Sequence, residues 1–295
     1  MTYSQFLLVF LVVPITFLVW AIRRYMSRSQ LWMLALLSLV ALIYTTPWDN
    51  YLVATRVWYY EPDRVLGITL GWVPLEEYLF FVLQPILGGL WMLYLYRCVP
   101  SLDAPIPDRP TLRWSVVSLV GLMWLSVIGL LLTNWQPARY LGLELAWALP
   151  PLMLQLAFGA DILWHQRGRL ILALLPLIVY FCAADTLAIA MNIWTINPAF
   201  SLQVYLGGVL PIEEFVFFAL TNILITFSFG LLLTAESHSR LRQLLNAVCA
   251  QHSFSKLLLT ALSVTLNGLY QRRGSHSDQR GHRGNQEGAT KRASF

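Results

Sequence analysis

Residues 73–96 read VPLEEYLFFVLQPILGGLWMLYLY, a stretch long and apolar enough to cross a lipid bilayer as one helix. Two adjacent acidic residues, Glu76 and Glu77, lie near its start. Residues 210–218, LPIEEFVFF, repeat the opening of this stretch together with its acidic pair. An ionised carboxyl group within a membrane costs on the order of 3 kcal/mol on insertion scales. A chain that carries such pairs twice is therefore predicted to use them.

The composition of the whole chain fits a protein with several membrane-spanning helices. Of its 295 residues, 57% are hydrophobic and 12% are Asp, Glu, Lys or Arg, and that charged share is about half the share in a soluble domain. The mean hydropathy is +0.60. The apolar runs lack the strict alternation of a membrane β-barrel. We predict an all-α polytopic membrane protein with about seven spans, at residues 3–22, 31–50, 73–96, 112–133, 140–164, 170–192 and 205–233.

The basic residues are distributed unequally among the predicted loops. Seventeen of the twenty Lys and Arg residues lie after spans one, three, five and seven. Because basic loops stay on the cytoplasmic side, the N-terminus is predicted outside and the C-terminus inside, with the chain in the cell membrane. Residues 254–269 are predicted to form an interfacial amphipathic helix, with an eighth span as the alternative. Residues 271–295 are basic and polar, which predicts disorder and contact with membrane lipids rather than with nucleic acid.

The chain contains an internal repeat that extends well beyond the two acidic pairs. In each copy an Asp precedes a Trp by nine positions, and Pro, Gly, Pro and the acidic pair follow in the same order. The two copies are offset by 136 positions from the Asp to the first Pro, and by 137 positions from the Gly onward. The repeated residues before the acidic pairs are Asp49, Trp58, Pro62, Gly71 and Pro74, and Asp185, Trp194, Pro198, Gly208 and Pro211.

This repeat predicts the organisation of the chain. Residues 1–110 and 137–235 hold three spans each, residues 111–136 form a linker span, and residues 236–295 form a basic cytoplasmic tail, partly amphipathic and partly disordered. Because the linker is a fourth span, the two three-helix units have the same orientation and are related by an axis along the membrane normal. Such units are expected to enclose a site between them.

The repeated acidic residues are the candidates for catalysis. Pro74 and Pro211 are predicted in the first helical turn, which places each glutamate pair at a helix N-terminus. Gly71 and Gly208 complete the structural part of the motif. Two carboxyl groups so close titrate as one unit, which provides a proton donor beside an acceptor. The predicted catalytic residues are Glu76, Glu77, Glu213, Glu214, Asp49 and Asp185.

Aromatic residues near these acids have two interpretations. They could form the aromatic belt at the membrane interface, or they could stabilise a developing cation through their π faces. The predicted cation-stabilising residues are Phe80, Phe81, Phe217, Phe218, Trp58, Trp194 and Tyr78. For Glu144, Asp161 and His165 the sequence predicts structural roles, with Asp161 and His165 as an exposed pair on one helix.

Motifs that are missing from the sequence narrow the chemistry. The sequence has no G-x-G-x-x-G for a dinucleotide, no Asp-rich pair for magnesium and diphosphate, and no Cys/His cluster for a metal. It has no Lys within the last span for a retinal Schiff base. We therefore expect neither a cofactor nor a metal. Acid chemistry on a long lipid, such as an isomerisation or a cyclisation, is the reaction type that remains.

The doubled motif resembles that of the membrane-integral lycopene cyclases. The resemblance covers residues 1–235 and rests on two copies of Asp-x8-Trp, then Pro, then G-x-[VL]-P-[LI]-E-E-[YF]-x-F-F. It is similar to the fused form of the two-subunit bacterial enzyme, as found in archaea and fungi. The resemblance implies that lycopene and γ-carotene are the substrates, that β-rings form without net redox change, and that the six acids act in this reaction.

Other interpretations of the same residues stay open. A related enzyme could hydrate carotenoid ends, a proton-coupled transporter could use intramembrane acids and a repeat, and a scaffold for other carotenoid enzymes would need none of the glutamates. The sequence leaves open whether one or both ends are cyclised, whether the ring is β or ε, which glutamate donates the proton, and the oligomeric state.

Overall fold

A computed structural model describes residues 1–99 and 105–251 of the chain. Within these ranges seven helices are long and apolar enough to cross a membrane, which confirms the predicted all-α polytopic fold. They are α1 (Tyr3–Tyr25), α2 (Arg28–Ala54), α3 (Leu75–Cys98), α4 (Pro110–Leu132), α5 (Gln136–His165), α6 (Arg167–Ala190) and α7 (Ile212–Leu232). An eighth helix, α8 (Ala235–Gln251), belongs to a separate compact unit that begins at Ala235.

Three very short two-stranded sheets lie in the loops before α3 and α7. The strands are β1 (Trp58–Tyr60), β2 (Thr69–Leu70), β3 (Val73–Pro74), β4 (Trp194–Ile196), β5 (Tyr205–Leu206) and β6 (Leu210–Pro211). Two of the sheets are hairpins, β2 with β3 and β5 with β6. The third joins the two loops, because β1 pairs antiparallel with β4. Two turns of 3₁₀ helix, Pro62–Arg64 and Pro198–Phe200, occupy matching places in the same loops.

The helices α3 and α7 form the centre of the bundle. They pack against each other, while α3 also contacts α2 and α7 also contacts α5 and α6. Their close approach depends on small residues, since a side chain at Gly88 would meet Ile225 of α7 and one at Gly89 would meet Phe229. Between them, Gln84 Nε2 donates a hydrogen bond of 3.0 Å to Thr221 Oγ1.

The peripheral helix α4 packs mainly on α5, and most of its apolar side chains are exposed or only partly buried. In a bilayer those side chains face lipid, so their exposure is the expected state of a spanning helix rather than a defect of packing. Residues 111–136, the predicted linker, contain most of α4 (Pro110–Leu132), and the division of the chain into repeats and linker stays a prediction.

The start of the last span was predicted too early. Residues 205–211 were included in the span 205–233, but they form the β5–β6 hairpin, and α7 begins at Ile212. The apolar run therefore continues across two types of structure. Within the hairpin, Leu210 and Pro211 are buried, whereas Tyr205 and Leu206 are exposed.

The two motif prolines cap the helices instead of lying in the first turn. Pro74 has φ −69° and ψ 152°, and Pro211 has φ −56° and ψ 144°, so both have extended backbone and pair with the preceding strand. Gly71 precedes Pro74 with φ +69°, and Gly208 precedes Pro211 with φ +77°. These hairpin turns need the left-handed region, which glycine adopts without steric cost. Residues 254–269 and 271–295, for which an interfacial helix and disorder were predicted, lie outside the described residues.

Candidate active site

All six predicted catalytic acids lie at the same end of the bundle, where α2 and α6 end and α3 and α7 begin. The β1–β4 sheet joins the two loops at this end. At most 9% of any of these six residues is exposed: Asp49, Glu76, Glu77, Asp185, Glu213 and Glu214. Carboxyl groups with so little access to water must either keep a proton or have their charge stabilised by hydrogen bonds.

Three of these acids line one cavity. Glu77 from α3, Asp185 from α6 and Glu214 from α7 face the same space. Most of the remaining wall is aromatic, and five of the predicted cation-stabilising residues belong to it: Trp58, Trp194, Phe80, Phe217 and Phe218. The arrangement places acids beside π faces in an apolar enclosure, which is the environment that a carbocation requires.

The carboxyl group of Glu77 is held by two phenols. Tyr3 OH donates to Glu77 Oε2 at 2.5 Å, and Tyr60 OH donates to the same oxygen at 2.9 Å. Burial, together with the negative charge of Glu77, raises the pKa of Tyr60 well above its usual value. The Tyr60 hydroxyl therefore stays protonated and remains a donor.

The carboxyl group of Glu214 has one such contact. Tyr140 OH donates to Glu214 Oε1 at 2.6 Å, and both residues are buried. Tyr3 and Tyr140 lie 137 positions apart, the same offset that relates Glu77 to Glu214. The sequence contains this signal, but neither tyrosine belongs to the repeated motif that begins at Asp49 and Asp185, so the sequence analysis missed both.

The other glutamate of each pair points to the preceding loop instead of the cavity. Glu76 Oε1 accepts a hydrogen bond of 2.7 Å from the backbone N–H of Leu66, and Glu213 Oε1 accepts one of 2.6 Å from that of Leu202. Ser4 Oγ donates a further hydrogen bond to Glu76 at 3.2 Å. These contacts fix the loop against the helix start, and a catalytic role for Glu76 and Glu213 stays a prediction.

The two aspartates differ in their surroundings. Trp194 Nε1 donates to Asp185 Oδ1 at 2.9 Å, and both residues line the cavity. Asp49 is fully buried outside the cavity wall, and no group in the described part of the chain hydrogen-bonds its carboxyl oxygens. The equivalent indole, Trp58, likewise has no partner for its N–H among the described residues. The repeat is therefore conserved in sequence but not in these contacts.

Two of the predicted aromatic residues lie outside the cavity wall. Tyr78 holds the hairpin before α3, since its hydroxyl donates to Leu70 O at 2.6 Å and accepts from Asn50 Nδ2 at 2.9 Å. Phe81 packs edge-on against Tyr78 at 5.9 Å between ring centroids. Their positions fit support of the site rather than direct contact with a substrate.

Glu144, for which the sequence predicts only a structural role, lies near the glutamate pair of the second copy. Glu144 is fully buried in α5 and interacts electrostatically with Glu213 and Glu214, although no described group hydrogen-bonds its oxygens. The equivalent position of the first copy, 137 residues earlier, is Leu7. One acid therefore distinguishes the surroundings of Glu214 from those of Glu77.

The predicted exposed pair of Asp161 and His165 is wrong. Asp161 is 3% exposed, and Arg113 Nη1 lies 3.0 Å from its Oδ2. The backbone N–H of Arg109 donates to the same oxygen at 3.1 Å. The start of α4 thus covers Asp161, a contact between helices that spacing within α5 could not reveal.

Comparisons with known proteins agree on one family. The family model described as "Lycopene cyclase" matches residues 1–96 and 137–232. A "Lycopene beta-cyclase" of Halobacterium salinarum is 38% identical over 216 residues, which cover 73% of this chain and 87% of that protein.

Fungal proteins show the same similarity over part of their length. A "Bifunctional lycopene cyclase/phytoene synthase" of Sporisorium reilianum is 35% identical over 211 residues, which cover 69% of this chain and 30% of that protein. One of Arthroderma gypseum is 29% identical over 276 residues, which cover 84% of this chain and 44% of that protein. No solved structure matches.

Proposed function

The chain belongs to the lycopene cyclase family, and on this basis we propose that it converts the open ends of lycopene into β-rings, through γ-carotene to β-carotene. The observation that carries the proposal is the cavity in which Glu77 and Glu214, one from each glutamate pair, face the same aromatic enclosure. The similarity to lycopene beta-cyclase extends over the helices that build this cavity.

The reaction needs an acid and a base at one end group. Protonation of the terminal double bond gives a tertiary cation, the neighbouring double bond closes a six-membered ring onto it, and loss of a proton restores a double bond. The formula and oxidation state of the carotenoid are unchanged, so the enzyme acts as an isomerase, or intramolecular lyase. The buried carboxyl groups supply the proton transfers.

The cation must be protected from water until the proton is lost. Phe80, Phe217 and Phe218 line the cavity, and Phe218 stacks on Phe181 at 5.6 Å between ring centroids. Such faces stabilise positive charge without reacting with it. They also exclude water, which would otherwise capture the cation as an alcohol.

The two-repeat organisation, with units 1–110 and 137–235 and linker 111–136, is proposed on the same basis. The β1–β4 pairing is symmetric about Tyr59 and Thr195, which are 136 positions apart. The aromatic packing is also reciprocal. Trp58 lies 5.2 Å from Tyr140 between ring centroids, and Trp194 lies 5.0 Å from Tyr3. Each unit thus places its Trp on the Tyr of the other, as a two-fold axis between parallel units would produce.

The chain is a membrane protein, and we propose that it lies in the cell membrane with its N-terminus outside and its C-terminus in the cytoplasm. The distribution of Lys and Arg supports this orientation. The site would then lie near the outer surface, at the end of the bundle where α1 begins. We also propose association with other carotenoid enzymes, since the fungal relatives are named for two activities.

A direct test is expression in a bacterial host that accumulates lycopene, with chromatography of the pigments. The chain should produce γ-carotene and β-carotene, and the double variant Glu77→Gln/Glu214→Gln should leave lycopene. Asp63→Asn, an exposed carboxyl in the loop before α3, is the matched control and should convert lycopene normally. Unchanged lycopene from a well-inserted parent chain would refute the proposal.

A further inference from the structure

We propose that the two repeats build one ring-closing site instead of two, and that in it Glu214 donates the proton to the end group and Glu77 accepts the proton that is lost. This inference rests on the proposed cyclase function. It goes further because it assigns different roles to two residues that occupy equivalent positions of the repeat.

The lining of the cavity supports a single site. Glu77 and Glu214 face the same space, whereas two independent sites would separate them. The two copies of the repeat also contribute different residues to the wall. Asp185 belongs to it and Asp49 does not, and Tyr3 belongs to it and Tyr140 does not. An end group that enters this cavity therefore meets non-equivalent residues from the two copies.

The surroundings of Glu77 match an acceptor. Both phenol donors, Tyr3 and Tyr60, converge on one oxygen, and an ionised carboxylate is the form that only accepts hydrogen bonds. The second donor is specific to the first copy. Its equivalent in the second copy, 136 positions later, is Ile196, which lines the same cavity without a polar group.

The surroundings of Glu214 match a donor. It has one phenol donor among the described residues, and Asp185 lines the same cavity. Glu144 adds a further buried carboxyl group, where the first copy has Leu7. Several carboxyl groups at close range in an apolar medium cannot all be ionised, so at least one of them keeps a proton.

The proton balance follows from this assignment. Glu214 loses its proton to the terminal double bond, the ring closes, and Glu77 takes a proton from the ring carbon beside the new cation. Each turnover therefore leaves Glu77 protonated and Glu214 ionised. Exchange with water after the product leaves restores both groups before the next end group enters. In heavy water each ring should then acquire one deuterium.

The experiment uses membranes that contain the full chain, supplied with lycopene in heavy water, with mass spectrometry of the separated pigments. Glu77→Gln and Glu214→Gln are compared singly with the parent chain and with Asp63→Asn. In each glutamine variant the rate of β-ring formation should fall at both ends by about 100- to 10,000-fold, the range that general acid–base catalysis contributes.

The deuterium separates the two roles. Glu77→Gln retains the donor, so label should appear in recovered lycopene or in rings whose double bond lies elsewhere. Glu214→Gln should give unlabelled lycopene. Tyr60→Phe removes one donor to Glu77 and leaves both carboxyl groups in place. It should slow β-ring formation and produce the labelled by-products of Glu77→Gln, which tests the assignment even where a glutamine variant is poorly inserted.

Three outcomes would overturn the proposal. About half of the parent rate in each single variant would indicate two independent sites. Label in the products of Glu214→Gln but not of Glu77→Gln would reverse the roles, and no label in either variant would remove the acceptor role from Glu77. A parent chain that leaves lycopene unchanged would instead refute the proposed function itself, so the two failures are distinguishable.

Discussion

The two phenols that approach the central glutamates should differ in importance although they are equivalent in the repeat. Tyr140→Phe removes the hydrogen-bond donor that Glu214 has among the described residues, at 2.6 Å. Tyr3→Phe removes one of the two donors to Glu77 Oε2 and leaves Tyr60 at 2.9 Å. The first change leaves a buried carboxyl oxygen without a partner, and the second does not.

The magnitudes follow from that difference. Glu214 develops negative charge as it gives up its proton, and a hydrogen bond to a charged group contributes about 1.5–3 kcal/mol. Glu77 keeps a second donor when Tyr3 is changed, so the loss there is that of an ordinary hydrogen bond, about 0.5–1.5 kcal/mol. If the loss appears in the transition state, Tyr140→Phe should slow ring formation by about 10- to 150-fold, and Tyr3→Phe by about 2- to 10-fold. Both variants delete the same hydroxyl group, so the difference between their rates reports the second donor to Glu77.

The assay is the initial rate of γ-carotene and β-carotene formation from lycopene in isolated membranes, normalised to the amount of inserted protein. Tyr205→Phe serves as the control, since Tyr205 is 45% exposed in β5 and should retain the parent rate. A loss in Tyr3→Phe equal to or larger than that in Tyr140→Phe would contradict the reasoning, because it would mean that Tyr60 does not keep Glu77 in position.

Further predictions concern stability and the supporting contacts. Arg113→Gln should destabilise the chain by about 3–5 kcal/mol, because it removes the guanidinium charge beside the buried carboxyl group of Asp161. Thermal unfolding in detergent measures this loss, and adding Asp161→Asn should recover part of it. Gly71→Ala should cost at least 1 kcal/mol, because it forces a residue with a Cβ to φ +69° against a neighbouring side chain, and a parent-like melting temperature would contradict this. Trp194→Phe should slow cyclisation more than Trp58→Phe. The first substitution removes the hydrogen bond to Asp185, which has no counterpart at Trp58 among the described residues. Equal rates in the two variants would show that this hydrogen bond does not contribute to the reaction.

The sequence was sufficient for the large-scale features of this chain. Helices that cross a membrane must satisfy their own backbone, so length and hydropathy identify them directly. The repeat identified the buried acids, because a coincidence of spacing across 136 positions is hard to obtain by chance. The hairpin of residues 205–211 was missed because its apolar residues continue the apolar run of the spanning helix that follows it.

The contacts within the site could not be predicted from the sequence, because they join residues on different helices. Tyr3 and Tyr140 reach the glutamates from helices 74 positions earlier in each case. Asp161 is paired by Arg113, 48 positions away. Spacing rules relate residues within one helix, whereas these pairs depend on which helices are neighbours. Glu76 and Glu77 also make different contacts, because adjacent residues on a helix point in directions about 100° apart. Which of the two faces the cavity depends on the neighbouring helices.

A repeated sequence places two equivalent glutamates in one cavity, although the reaction needs them in opposite roles. Two identical half-sites would present the end group with two carboxyl groups of the same character, yet ring closure requires one to give a proton and the other to take one. The differences between the copies near the acids include Tyr60 against Ile196 and Leu7 against Glu144. The first difference adds a donor beside Glu77 and the second adds an acid beside Glu214. Both differences favour Glu77 as the proton acceptor and Glu214 as the proton donor. Single substitutions in a symmetric ancestor could therefore have given the two glutamates different roles, while the helices, hairpins and caps stayed the same.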